Sequence, residues 1–141
     1  MKKAFKLVLT LLPFLYMIAI WIMSSNPDDM ILDLPSSSFD RFIKEALHLV
    51  EFALLYILFV SALAAHQKLR PGLSLLAALV ACLYGVIDEY HQSFVPYRSS
   101  SLIDVIKDII GVAAVYFHVQ YHYFKRKRGL LTFIEKLNEK K

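Results

Sequence analysis

A helix crosses a bilayer in about 20 apolar residues, with roughly 17 to 25 as the usual range. This chain of 141 residues holds two runs that meet that length unaided, Phe5 to Met23 and Leu47 to Ala65. Two further runs come close. Leu73 to Ile87 reaches spanning length if Asp88 and Glu89 sit at the interface and the helix continues to His91, and Leu102 to Tyr121 is interrupted by acidic residues. With 57% hydrophobic residues and a mean hydropathy of +0.50, the chain is too apolar for an ordinary soluble domain of this size, which must cover its surface with polar groups. The expected fold class is therefore all-α: an integral membrane four-helix bundle forming one domain over 1–141, with spans near 5–23, 47–65, 73–91 and 102–121 and a basic tail over 122–141.

Charge placement sets the expected orientation. Lys2, Lys3 and Lys6 precede the first run, Lys68 and Arg70 lie between the second and third, and Lys125 to Arg128 follow the fourth. By the positive-inside rule all three regions are cytoplasmic, which puts both termini inside and the two remaining connectors outside. The first run is expected to stay as an anchor, because it is longer than a signal-peptide core and "IMSSN" lacks the small residues of an A-x-A type cleavage site. Cys82 is the only cysteine, so an intramolecular disulfide is excluded and a buried, inert thiol is expected. The net charge of +4 is accounted for by these orienting clusters, and nucleic acid is not an expected partner.

Pro27 and Pro35 break helix in the long outer connector, while "SSSFDRFIKEALH" places Ser or Asp ahead of apolar residues at helical spacing, so the chain from Phe39 is expected to turn helical into the second span. Pro71 and Gly72 punctuate the inner turn and Pro96 the outer one. The tail "KRKRGLLTFIEKLNEKK" fits either a short interfacial helix drawn to anionic lipid or a solvated tail that enforces topology.

Against this apolar background, the ionisable residues are the informative ones. At about 1.5 Å of rise per residue, His48 and Glu51 fall within the first turns of the second span. Asp104 and Asp108 fall in the first turns of the fourth, and Asp88 and Glu89 end the third. Three helices thus bring acids to one outer layer. His48 and Glu51, three apart, share a face; so do Asp104, Asp108 and Gly111, where the small Gly111 lets another helix approach. A charged Asp at a helix centre costs about 2.5 to 3.5 kcal/mol to insert, less toward the interface, so such groups pair or line a polar cavity. Arg98 and Lys107 are the outer cations, and Glu51, Asp88 and Asp104 are candidate carboxylates for Arg98.

The residues leave several chemistries open. His48, Glu51, Asp88, Glu89, Gln92, Arg98, Asp104 and Asp108 together make an outward-facing polar pocket, the expected ligand-binding set. Glu51, Glu89 and His48 are the candidates for general acid or base work. Glu45 and His48 have the Glu-x-x-His spacing of di-metal bundles, but without a second copy, so no metal site or cofactor is assigned. Ser99, Ser100 or Ser101 with His91 offers a nucleophile and base, although these serines serve more simply as caps for the fourth helix. Interhelical glue, at about 0.6 kcal/mol per polar contact, is the structural alternative.

The stretch "DEYHQSFVPYRSSSLIDVIKDIIG" resembles the signature of VanZ-like membrane proteins, through Asp88, Glu89, Gln92, Phe94, Pro96, Arg98, Ser101, Asp104 and Gly111. "HLVEFALLYILF" resembles that family's second-span motif through His48, Glu51 and Phe52. The chain departs from the pattern at Tyr97, where the family often has Gly, at Glu45, where it tends to have a basic residue, and at Asp108, where Asn is frequent. The resemblance implies a multi-pass protein of the bacterial cytoplasmic membrane in a family named for low-level resistance to the glycopeptide teicoplanin. The expected partner is a membrane lipid or lipid-linked cell-wall precursor. Two alternatives stand beside it: a membrane-embedded acid/base hydrolase or transferase acting on an envelope lipid, and a non-catalytic assembly or partner-binding subunit.

Overall fold

The computed structural model describes residues 2–26, 37–96, 98 and 100–138; side chains are described for all of these except residue 2, residues 37–45 and His48. Within them the chain is all helical. Helix α1 is Lys2–Ser24, α2 is Ser37–Ala65, α3 is Pro71–Gln92 and α4 is Leu102–Val119, which runs on as a π turn over Gln120–Lys125; α5 is Leu130–Asn138. There is no strand among the described residues.

The helix ends follow their sequence cues. Pro71 opens α3 at its first helical position, where its missing N–H costs nothing. The preceding turn closes α2 with a Schellman motif: Gln67 takes the left-handed conformation at φ 57°, Gln67 N–H donates to the Ala64 carbonyl at 2.9 Å and Lys68 N–H to that of Leu63 at 2.9 Å. Helix α3 extends to Gln92 and so has 22 residues, and α2 begins at Ser37, ahead of the expected Phe39.

Helix α2 is the centre of the packing. It lies against α1, α3, α4 and α5, most extensively against α4, while α3 packs on α1 and α4. The α2–α4 approach depends on Gly111: a Cβ there would collide with the Leu49 carbonyl oxygen and fall 3.0 Å from its carbon. This is the close approach expected from the small residue on the acidic face of α4. On α3 the inward stripe is also small, with Ala77, Ala78, Ala81 and Gly85 all buried.

The distribution of polarity is inverted relative to a soluble globule. Asp88 and Asp108 are each 1% exposed. Leu15 of α1, Leu83 of α3 and Ile110 of α4 stand 59%, 59% and 54% exposed, among many other large apolar side chains. So extensive an apolar exterior exceeds what soluble monomers show. By length and composition, Lys3–Ser24 and Pro71–Gln92 are apolar enough to cross a membrane. The apolar stretch of α2, Leu49–Ala65, is shorter, and α4 carries Asp104, Lys107 and Asp108 in its first two turns.

Helix α5 folds back onto α2 and α1. Leu131 and Ile134 are buried beneath it, whereas Leu130, Phe133 and Leu137 form a second, exposed apolar face. The described part of the tail, through Asn138, thus ends in a helix packed against the rest of the bundle.

Candidate functional site

Two turns after α3 return the chain over the ends of α1 and α4. Phe94 N–H donates to His91 O at 3.1 Å, Val95 N–H to Gln92 O at 3.0 Å and Arg98 N–H to Val95 O at 3.3 Å. This geometry delivers the Arg98 guanidinium to the C-terminus of α1, where Nη1 donates to the carbonyls of Met23 (3.0 Å) and Asn26 (2.9 Å). A cation is favoured there because the last carbonyls of a helix lack intrahelical donors and carry partial negative charge. Arg98 also lies within electrostatic reach of Glu51 and Glu89. Its hydrogen bonds to the backbone of α1 were not foreseen in the sequence, where carboxylates were the expected partners.

Ser101 caps α4. Its Oγ accepts from Asp104 N–H at 3.2 Å and donates to Asp104 Oδ2 at 2.6 Å, while Lys107 Nζ reaches Asp104 Oδ1 at 3.0 Å. In the usual capping box the third residue's carboxylate would return to the cap's own N–H. Here that N–H donates across to Glu89 Oε2 of α3 at 3.2 Å. The cap therefore ties the start of α4 to the end of α3 through one carboxylate.

On the α1 side, Gln92 Nε2 donates to Asp88 Oδ2 one turn earlier, and to Ser24 Oγ at 3.4 Å. His91 stacks on Trp21, ring centroids 3.9 Å apart, and shares a 3.0 Å hydrogen bond between Nε2 and Ser25 Oγ. It is turned to α1, away from the Ser101 cap, so the His91 and Ser101 version of a nucleophile and base is not assembled. Ser99 and Tyr97 lie outside the described residues.

Acidic residues of α2, α3 and α4 come within electrostatic reach of one another. Glu51 lies within electrostatic reach of Asp88, Glu89 and Arg98; Asp108 within reach of Glu89, Glu51, Asp88 and Asp104. Asp88, Glu89, Gln92 and Asp108 are buried, and Glu51, Arg98 and Asp104 are half-buried and so the reachable members. Gly85 makes room for Asp108: a Cβ there would stand 3.3 Å from Asp108 Oδ2 and 3.4 Å from the Phe52 ring. The backbone of His48 is in α2, one turn before Glu51, and its side chain lies outside the described set, as do those of Lys44 and Glu45. Among the described residues no three His, Cys, Asp or Glu side chains are grouped to hold a metal ion.

Sequence reasoning missed Tyr84, whose hydroxyl donates to the Met17 carbonyl at 2.7 Å and which lies near Asp88 and Glu51. It also missed Ser24. Tyr84 lies within an apolar run and Ser24 directly after one, where a single polar group carries no pattern of its own.

Among the described residues the chain is all helical, with two helices long and apolar enough to cross a membrane and acids gathered between the helices, which is the class of a membrane-associated helical protein. A family model described as VanZ/LLP1 matches residues 2–123. The chain belongs to the VanZ/LLP1 family, and the match spans α1 to α4 and most of the π turn. Neither the comparison with curated proteins nor that with solved structures returns a match.

Proposed function

We propose that this VanZ-like protein is a multi-pass protein of the bacterial cytoplasmic membrane with four spans and both termini cytoplasmic, whose outer polar layer binds the headgroup of an envelope lipid or lipid-linked cell-wall precursor and so lowers susceptibility to teicoplanin. One observation carries the reading: charged groups from three helices converge in a single layer of a molecule whose exterior is apolar. Burying several like charges together costs far more than helix association returns. Arg98, Glu51 and Asp104 are the members a headgroup can reach, with Arg98 suited to an anionic group. Asp88, Gln92 and Asp108 form the floor behind them.

A second reading has its own support. The hydrogen bonds of Arg98, Gln92 and Glu89 join α1 to α3 and α3 to α4, so the layer also suits a clamp that fixes helix register in an assembly subunit. Susceptibility to teicoplanin and vancomycin, measured in cells holding Arg98→Ala, Glu89→Gln or Glu51→Gln at equal membrane levels, separates the two. Headgroup binding predicts about a tenfold loss of a teicoplanin-selective effect, the size expected when one contact of roughly 1.4 kcal/mol is lost. Wild-type behaviour of all three variants, or their disappearance from the membrane, would refute it in favour of the clamp.

A further inference from the structure

At the other end of the same helices lies a second polar feature. Helix α4 passes into the six-residue π turn, a rare widening that marks functional sites more often than chance. His118 and His122 lie one turn apart across its start and stack at 4.2 Å between ring centroids. The chain then reverses through Lys127 at φ 49° and Gly129 at φ 107°. Arg128 N–H donates to the His122 carbonyl at 2.9 Å, which fixes Arg128 beside the histidine pair.

These three side chains line a half-open cleft of about 170 Å³ whose opposite walls, including Val60, Val115 and Leu131, are apolar. The sign of the charge selects the ligand. Arg128 repels a metal cation, and two imidazoles with a guanidinium offer N–H donors suited to phosphate oxygens. From His118 to Asn138 the chain holds Lys125, Arg126, Lys127, Arg128 and Lys136 against Glu135 alone. Glu135 itself accepts a hydrogen bond from the Tyr123 hydroxyl at 2.9 Å. Lys125 and Arg126 lie over the Tyr121 ring, at 5.7 and 4.7 Å, on the same turn of chain. Free phosphate would leave the apolar walls unused; an amphiphile uses both halves of the cleft. The exposed face of α5, with Leu130, Phe133 and Leu137, sits beside the mouth as an interfacial helix would.

We propose that this cleft binds the phosphate group of an anionic amphiphile, held by His118, His122 and Arg128, with the first carbons of the ligand against the apolar walls. The site is separate from the outer layer and stands or falls independently of it.

Native mass spectrometry of the full-length protein in mild detergent tests this, with dioleoylphosphatidylglycerol, dioleoylphosphatidylcholine and glycerol 3-phosphate as probes. Phosphatidylglycerol should bind at least about tenfold more tightly than phosphatidylcholine. His118→Gln combined with Arg128→Gln should remove about a tenfold share of that affinity; both side chains are exposed, so the fold survives. Val115→Trp, which fills the cleft, should have the same effect, and Lys136→Gln should have none. If glycerol 3-phosphate competes as well as the lipid, the phosphate site stands and a soluble ester is its source. Equal binding of the two lipids, an unaffected double variant, or an equal loss in Lys136→Gln would overturn the proposal.

Discussion

Gly111→Ala tests the packing on which the acidic layer depends. The added methyl would lie 3.0 Å from the Leu49 carbonyl carbon and closer still to its oxygen, where ordinary contact begins at 3.4 Å. That oxygen belongs to the backbone of α2 and cannot rotate away, so α2 and α4 must part by on the order of 1 Å in a close-packed interior. Replacing a helical glycine by alanine contributes about 0.5 to 1 kcal/mol of stability through lower chain entropy. Overpacking costs about 1 to 3 kcal/mol, so a net loss of about 1 to 2 kcal/mol is expected. Gly72→Ala is the matched control, because a Cβ at Gly72 in the first turn of α3 meets nothing within 4 Å. Thermal melting in one detergent, followed by size-exclusion chromatography, should rank Gly72→Ala at or above wild type and Gly111→Ala below it. A Gly111→Ala protein that melts at or above wild type would refute the claim that these helices touch backbone to backbone.

Ser101→Ala removes the cap of α4 and should lower stability by about 1 kcal/mol; Ser101→Thr, which keeps a hydroxyl to accept from Asp104 N–H and donate to its carboxylate, should lose less in the same melt. Tyr123 is pushed up from 10.0 to about 12, first by burial and then by its hydrogen bond to Glu135 and the charge there. The folded state therefore favours the protonated phenol, and this contribution is complete below about pH 10 and is lost as the pH rises through about 12. Tyr123→Phe should cost about 1 kcal/mol at neutral pH and flatten the alkaline fall in melting temperature between about pH 10 and 12 that wild type shows.

The helices were legible because apolar run length and Pro or Gly punctuation are local signals. Pro71 opens α3, and Gly111 marks a helix contact before its partner is known. The convergence of Glu51, Asp88, Glu89, Asp104 and Asp108 was legible for a different reason: along packed helices, distance from the helix end fixes height in the bundle, so acids distant in sequence can be assigned to one level. The bonds within that layer were not legible. Arg98 donates to the carbonyls of Met23 and Asn26, which no side-chain pattern in the sequence marks as acceptors. The cleft of His118, His122 and Arg128 was hidden because it needs the π turn and the return of α5.

The members of the outer layer differ in what the fold asks of them. Asp104 and Ser101 finish α4, Glu89 receives the Ser101 N–H, Gln92 links Asp88 to Ser24, and Arg98 finishes α1. Each lies at or near a helix end, where orphan backbone groups need partners in any protein of this shape. Glu51 and Asp108 stand deeper, at least a full turn inside α2 and α4, where no cap calls for an acid. The fold nevertheless gives Asp108 room through Gly85, at the cost of a helical glycine. A clamp would be served as well by an apolar residue at both positions, because a buried ionic group replaced by apolar packing is often neutral or stabilising. The residues that helix-end geometry leaves unexplained are thus the ones on which the proposed ligand-binding role rests, and of the two Glu51 is half-buried whereas Asp108 is sealed.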